Sequence, residues 1–200
     1  MSPGTAPTFA YPVILDLHDV PVLVVGGGRI GARKAEGLAA AGAKVRLVAT
    51  NVSEHVDAAI IDDLRPRSFR PDDLDGVRLV VTATGDERVD SSIATQARAS
   101  GIWTNAADQP VDCEFILPAI ARRGRVTIAV STDGASPALA RELRNVIDEL
   151  LTDEIGALAE TLAAERSAVQ ASGASTEDID WTDRVRRGIS EALAGRSLAP

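Results

Sequence analysis

An α/β fold with a doubly wound parallel sheet is predicted by three observations. Val22-Leu23-Val24-Val25 runs into Gly26-Gly27-Gly28-Arg29-Ile30-Gly31, which gives an apolar strand, a GxGxxG turn and a helix start in the order a βαβ unit requires. Strand-like and helix-like segments then alternate as far as Asn105. Aromatics are only 3% of a chain that is 45% apolar, so its core must be Val, Ile, Leu and Ala, as in a sheet buried on both faces. The 200 residues have room for one such Rossmann-type domain and a smaller second unit.

Residues 1–10 are small and proline-containing and are expected to be loose; 11–17 are a short apolar stretch turned by His18-Asp19 into the first strand, 21–25. The helix at 29–41 carries Ile30, Ala35, Leu38 and Ala41 close to helical spacing and stops at Gly42. Residues 45–49 form the next strand, which completes a unit of roughly thirty residues. Residues 56–61 read as a helix, 67–70 as a short strand and 77–82 as a buried strand. A helix at 86–100, ended by Gly101, leads to a strand at 102–105.

The pattern changes after Asp108-Gln109-Pro110. Residues 114–117 and 125–131 read as strands joined by an Arg-Arg-Gly turn with no helix between them. Ser136-Pro137 supplies an N-cap and first helical position for a helix running to residue 151. Residues 153–168 read as helical, 171–176 as a linker and 180–193 as a last amphipathic helix. The expected organisation is a Rossmann domain over 1–110, a small α+β segment over 111–151 and a helical region over 152–200.

A net charge of −8 argues against nucleic acid or an anionic membrane as a partner. No segment has the apolar length to cross a bilayer, and the N-terminus lacks a signal-peptide pattern, so a cytoplasmic protein is expected. The single cysteine, Cys113, excludes an internal disulfide and a multi-cysteine metal site, and His18 and His55 lie in no ligand-like cluster, so no resident metal is expected.

The glycine turn is built to hold a dinucleotide pyrophosphate. Gly26 permits the tight turn, Gly28 lets the backbone approach the phosphates, and Gly31 lets the helix pack on the strand with its N-terminus aimed at the anion. Thr50-Asn51, at the end of the second strand, offers neutral groups to the ribose and no arginine for a 2′-phosphate, which favours NAD over NADP; both residues also suit an ordinary loop. Residues 82–86 should border the cofactor, with Asp86 read as a helix cap. Asp108 follows a strand at the same carboxyl edge, where a carboxylate can serve as a general base or simply make a turn. Arg122, Arg123, Arg125, Arg141 and Arg144 form a basic stretch in an acidic chain, suited to an anion or to a solvated face. The loop from Ser131 to Ser136 leads into a helix N-terminus and is either a second anion site or a plain cap.

Several of these stretches, in order, resemble the precorrin-2 dehydrogenase and sirohydrochlorin ferrochelatase family, the N-terminal module of siroheme synthase. They are Tyr11-Pro12, Leu15-Asp16-Leu17, Gly26-Gly27-Gly28 with Arg33-Lys34-Ala35, Ala41-Gly42-Ala43 and Ala83-Thr84. Further on come Asn105-Ala106-Ala107-Asp108, Phe115-Ile116-Leu117-Pro118-Ala119, and Ser131-Thr132-Asp133-Gly134-Ala135-Ser136-Pro137 with Leu139-Ala140-Arg141. The resemblance implies NAD-dependent oxidation of precorrin-2 to sirohydrochlorin, followed in some members by insertion of Fe²⁺ or Co²⁺. It also implies a homodimer built largely through 111–151, with the tetrapyrrole between the domains. The family's catalytic aspartate falls on Asp108, and its nucleotide contacts on Arg29, Ile30, Thr50 and Asn51, beside Gly26, Gly28, Gly31 and Thr84. Substrate contacts are expected from Asn105, Arg122, Ser131, Thr132, Gly134, Ser136 and Arg141, since the substrate carries eight carboxylates. Gly85-Asp86 and Asp90 depart from the family's acidic pair and asparagine, and residues 152–200 match it poorly. The fused synthase's methyltransferase domain has no counterpart in these residues, so methylation is not expected. Two alternatives are a sirohydrochlorin chelatase without dehydrogenase activity and a non-enzymatic NAD(H) sensor. Asp108 together with the Ser-Thr-x-Gly-x-Ser-Pro loop argues against the sensor.

Overall fold

The computed structural model describes residues 11–194, so the expectation for residues 1–10 lies outside the described residues. The chain divides into two compact units, with the boundary between Ile116 and Leu117.

In the first unit, β1 (Pro21–Gly27), α1 (Arg29–Ala40), β2 (Lys44–Val52), β3 (Asp63–Arg65), β4 (Leu79–Thr82), α2 (Glu87–Ala99) and β5 (Trp103–Ala106) follow in chain order. All strand pairings are parallel, and the order across the sheet is β3-β2-β1-β4-β5. The alternation of β1 explains the layering. Val22 and Val24 point to the face covered by Ala35 and Leu38 of α1, whereas Leu23 and Val25 point to the face covered by Ile93 and Ala97 of α2. Crossovers of one hand that run outward in opposite directions from β1 and β4 must cover opposite faces. The sheet is therefore doubly wound, with its switch point between β1 and β4.

Two expectations for the outer sheet fail for the same reason. Residues 56–61 make only a 3₁₀ turn at Ala58–Ile60, and the third strand is Asp63–Arg65 rather than 67–70. Carboxylate bonds to β2 pull this segment straight: Asp62 accepts from the Val45 N–H at 2.8 Å, and Asp63 accepts from Arg46 Nε at 2.8 Å. Beyond Pro66, Arg67 turns back and grips Asp73 through both terminal guanidinium nitrogens, at 2.8 and 2.7 Å. Asp73 is fully buried and also accepts from Arg65 and from the Arg70 N–H. Burial pushes its carboxyl up, but the bonds from Arg67, Arg70 and Arg65 overcome that and hold it at about 2.

The second unit begins with an antiparallel hairpin, β6 (Ala119–Arg123) and β7 (Val126–Val130). The expected strand at 114–117 is irregular; Pro118 interrupts it, and pairing starts at Ala119. Gly124, with φ of 52°, takes the first turn position, so Arg122 and Arg123 belong to the strand and not to the turn. Helices α3 (Pro137–Leu150), α4 (Asp153–Ala171) and α5 (Thr182–Ala192) follow. Arg123 pairs with Asp148 of α3 at 3.1 Å, and Arg125 pairs with Glu160 of α4 at 2.8 Å. Gly188 allows α5 to lie against Leu158 of α4. The helices at 153–192 thus share one unit with the hairpin.

Asp73→Asn is expected to cost about 3 kcal/mol at pH 7, because two arginines lose their buried counter-charge. A carboxyl held low stabilises the fold above its unfolded value of ~3.9, and the gain fades as pH falls toward about 2. Urea melts from pH 7 to pH 2 should show that acid loss in the wild type and a smaller one in the variant.

Candidate dinucleotide and catalytic site

The carboxyl ends of β2, β1, β4 and β5 lie along one edge of the sheet, and the expected dinucleotide and catalytic residues of the first unit gather there. Gly26, at φ 123°, touches the end of β4: a Cβ on it would lie 2.2 Å from the Ala83 carbonyl oxygen. A Cβ on Gly31 would lie 2.0 Å from the Gly26 carbonyl oxygen, so α1 sits directly on the turn. At Gly27, the unassigned middle glycine, a Cβ would lie 2.4 Å from the Asn51 carbonyl oxygen. That contact occurs where the β1–β2 register slips between Val25 and Gly27 and β2 runs on to Val52. Thr50 and Asn51 are therefore exposed strand residues level with the glycine turn.

Gly28 is different, because a Cβ there would meet nothing of the protein within 4 Å. It is the N-cap of α1, it provides no side-chain cap, and no acidic residue occupies the first turn. The exposed backbone amides and the helix dipole are therefore left for an anion, and the open space beside Gly28 fits a pyrophosphate. Arg29 and Ile30 are exposed at the same point.

Thr84 leaves β4 in an exposed loop, but its hydroxyl is spent internally, donating to Asp90 Oδ1 at 2.9 Å. The Thr84 N–H donates to the same oxygen. Asp90 is 2% exposed, and burial pushes its carboxyl up. Asp86 caps α2 by accepting from the Arg88 and Val89 N–H groups, as its position suggested.

Asp108 follows β5 in a tight turn closed by the Gln109 N–H to the Ala106 carbonyl, and its φ of 61° is left-handed for a non-glycine residue. It is exposed, while the groups beneath it are not. Cys113 Sγ is buried and accepts from the Ala106 N–H at 3.2 Å, while lying 3.2 Å from the Ala106 carbonyl and 3.4 Å from that of Gln109. Asn105 is 6% exposed, and both ends of its amide have protein partners: Nδ2 donates to the Phe115 carbonyl at 3.0 Å, and Oδ1 accepts from Lys34 Nζ at 3.4 Å. Outside the sheet edge, the Glu114 N–H donates to the Thr104 carbonyl, and the Thr104 N–H donates to the Glu114 carboxylate.

In the second unit, Ser131 to Ser136 form a self-bonded loop. The Ser131 hydroxyl accepts from the Asp133 N–H, Thr132 accepts from the Ser136 N–H, and Ser136 caps α3 through the Leu139 N–H. Gly134 gives this loop a φ of 79°. The Arg122 side chain bonds the Thr127 hydroxyl, and neither it nor Arg141 makes an ion pair among the described residues. Among those residues no group of three or more His, Cys, Asp and Glu is placed to hold a metal ion, and no helix is long and apolar enough to cross a membrane.

Residues 13–119 match the family model described as NAD(P)-binding, and residues 123–150 match one described as Sirohaem biosynthesis protein central. The chain belongs to this NAD(P)-binding family. It is 40% identical to the siroheme synthase of Methylococcus capsulatus over 92% of its own length and 36% of that protein. It is 41% identical to that of Ectopseudomonas mendocina over 74% of its length and 32% of that protein. The chain thus spans about a third of these curated relatives. A solved structure, SirC, precorrin-2 dehydrogenase, superposes with a TM-score of 0.69 at 26% identity, over 92% of this chain and 97% of that one.

Gly28→Ala is expected to melt like the wild type yet bind NADH about tenfold or more weakly, since its methyl fills only ligand space. Gly26→Ala is expected to lose thermal stability, because its methyl meets Ala83. Thermal melts beside NADH fluorescence titrations check both.

Proposed function

We propose that this chain oxidises precorrin-2 to sirohydrochlorin with NAD as acceptor. The observation that carries the reading is the near end-to-end overlap with a precorrin-2 dehydrogenase, 92% of one chain on 97% of the other. It is supported by the exposed carboxylate of Asp108, held in a left-handed turn on the same sheet edge as the glycine turn.

The oxidation removes a hydride and a proton from the macrocycle. NAD held on the glycine turn would supply the two-electron hydride acceptor. Gly26, Gly28 and Gly31 shape the pyrophosphate seat, Arg29 and Ile30 flank it, and Thr50 and Asn51 offer a hydroxyl and an amide to the ribose. Thr84 serves through the loop it anchors. The Asp108 carboxylate accepts the proton and, being exposed, returns it to water. In the second unit Arg122 and Arg141, neither committed to an ion pair among the described residues, bind substrate carboxylates. The loop bearing Ser131, Thr132, Gly134 and Ser136 adds hydroxyls and amides to that recognition. Asn105 acts indirectly, since its amide is occupied.

The working form is a cytoplasmic homodimer. Leu139, Leu143 and Val146 form an apolar stripe on α3, exposed by 51%, 43% and 58%, with Ile120 of β6 exposed in the same unit. A stripe with this spacing suits a second copy of the same helix.

Asp108→Asn is expected to abolish NADH production from precorrin-2 while leaving NADH affinity within about twofold, because the residue moves a proton and does not seat the dinucleotide. Anaerobic absorbance with precorrin-2 and NAD reads the first, and a parallel arm with sirohydrochlorin and Fe²⁺ reads chelation separately; full activity in the variant overturns the assignment. Leu143→Glu with Val146→Glu is expected to give a monomer in sedimentation velocity, as like charges would face each other across the interface.

A further inference from the structure

Among the described residues, the one charged side chain bonded to the occupied amide of Asn105 is Lys34. Lys34 projects from the second turn of α1, half-buried, and its Nζ reaches Asn105 Oδ1 from 71 positions away in sequence. Lys34 and Lys44 are the only lysines in a chain whose other basic residues are arginines. Its setting is costly for a cation: burial, and then Arg33 next to it, lower its pKa, while Cys113 and Asp108 favour the charged form. A half-buried ammonium on a buried amide is held there by what it bonds.

Those bonds form one chain of contacts. Lys34 donates to Asn105 Oδ1, which fixes the amide so that Nδ2 faces the Phe115 carbonyl at 3.0 Å and Cys113 Sγ at 3.6 Å. Cys113 Sγ in turn bonds Ala106 and Gln109, the residues that bracket the strained turn carrying Asp108. The left-handed φ of Asp108 depends on the turn around it being held.

We propose that Lys34 is the positioning residue for Asp108, acting through Asn105 and Cys113 to hold the segment 105–113 in its productive turn. The Lys34 ammonium fixes the amide orientation, since an acceptor at that position would favour the flipped amide and break the bond to Phe115. An arginine can keep the donor function; methionine fills the same space and removes it. This assignment rests on Asp108 being the catalytic carboxylate, so one of its tests does not depend on catalysis.

The experiment compares wild type with Lys34→Met and Lys34→Arg in the full chain. Hydrogen–deuterium exchange of the ligand-free protein reads the turn directly. In Lys34→Met the amides of 105–113 are expected to exchange about tenfold or more faster, with the β1–α1 turn unchanged, and Lys34→Arg is expected to restore most of the protection. In precorrin-2 oxidation, Lys34→Met is expected to lower kcat by about tenfold with KM and NADH affinity within about twofold, and Lys34→Arg to recover most of it. Unchanged exchange at 105–113 in Lys34→Met overturns the proposal, as does a loss confined to NADH affinity. Faster exchange with no oxidation by the wild type keeps the Lys34 contact and overturns the dehydrogenase reading. If Lys34→Met does not fold, Asn105→Asp serves instead: it keeps an acceptor for Lys34 but loses the Phe115 bond, and must loosen 105–113 for the proposal to stand.

Discussion

Three close backbone approaches, each possible only without a Cβ, set the geometry of the dinucleotide edge. Gly26 lies against the end of β4, Gly27 against the extension of β2, and Gly31 against Gly26 itself. Together they draw the ends of three adjacent strands and the first turn of α1 into one small region. A methyl group at any of them would force backbone apart, not just displace a side chain. Everything else on that edge takes its place from this convergence. Thr50 and Asn51 are level with the turn because β2 continues past the register slip opposite Gly27. The free amides of α1 open into space because Gly28, the one glycine of the four with no close contact, faces away from the protein.

The Asp108 side of the edge is organised by a different kind of force. Backbone bonds close the turn around Asp108, and a short run of polar side-chain contacts, from Lys34 through Asn105 to Cys113, lies beneath it. The two halves of the edge are joined by α1, whose first turn serves the dinucleotide seat and whose second turn supplies the lysine. A shift of α1 relative to the sheet would disturb both. Close packing of Gly31 on Gly26 is what prevents that shift.

What was legible in the sequence was local. The glycine turn, the alternating apolar strands, the Asp86 and Ser136 caps and the helix at 137–150 each announce themselves within a few residues, and the structure has them where expected. The outer sheet was misread because β3 is polar, held by Arg46 and the Asp73 cluster and not by an apolar run. The strand expected at 114–117 was misread because only Glu114 bonds the backbone of β5 and Pro118 interrupts the run before a ladder forms. In the site, Gly27, Lys34, Asp90 and Cys113 were missed as contributors. Lys34 lies 71 positions from its partner, and Cys113 looks like any small buried residue until the Asp108 turn is seen to close on it. The family resemblance supplied Asp108, but not the reason it stays in place.

The edges of the five-stranded sheet have a further consequence. On one side β3 is three residues long and charged at Asp63 and Arg65; on the other, Glu114 bonds both the N–H and the carbonyl of Thr104 on β5. Neither border offers a run of open peptide groups on which another strand could template itself. The dinucleotide-binding unit is thereby guarded against sheet-to-sheet stacking into fibres, even though its interior strands are as apolar as those of aggregation-prone segments.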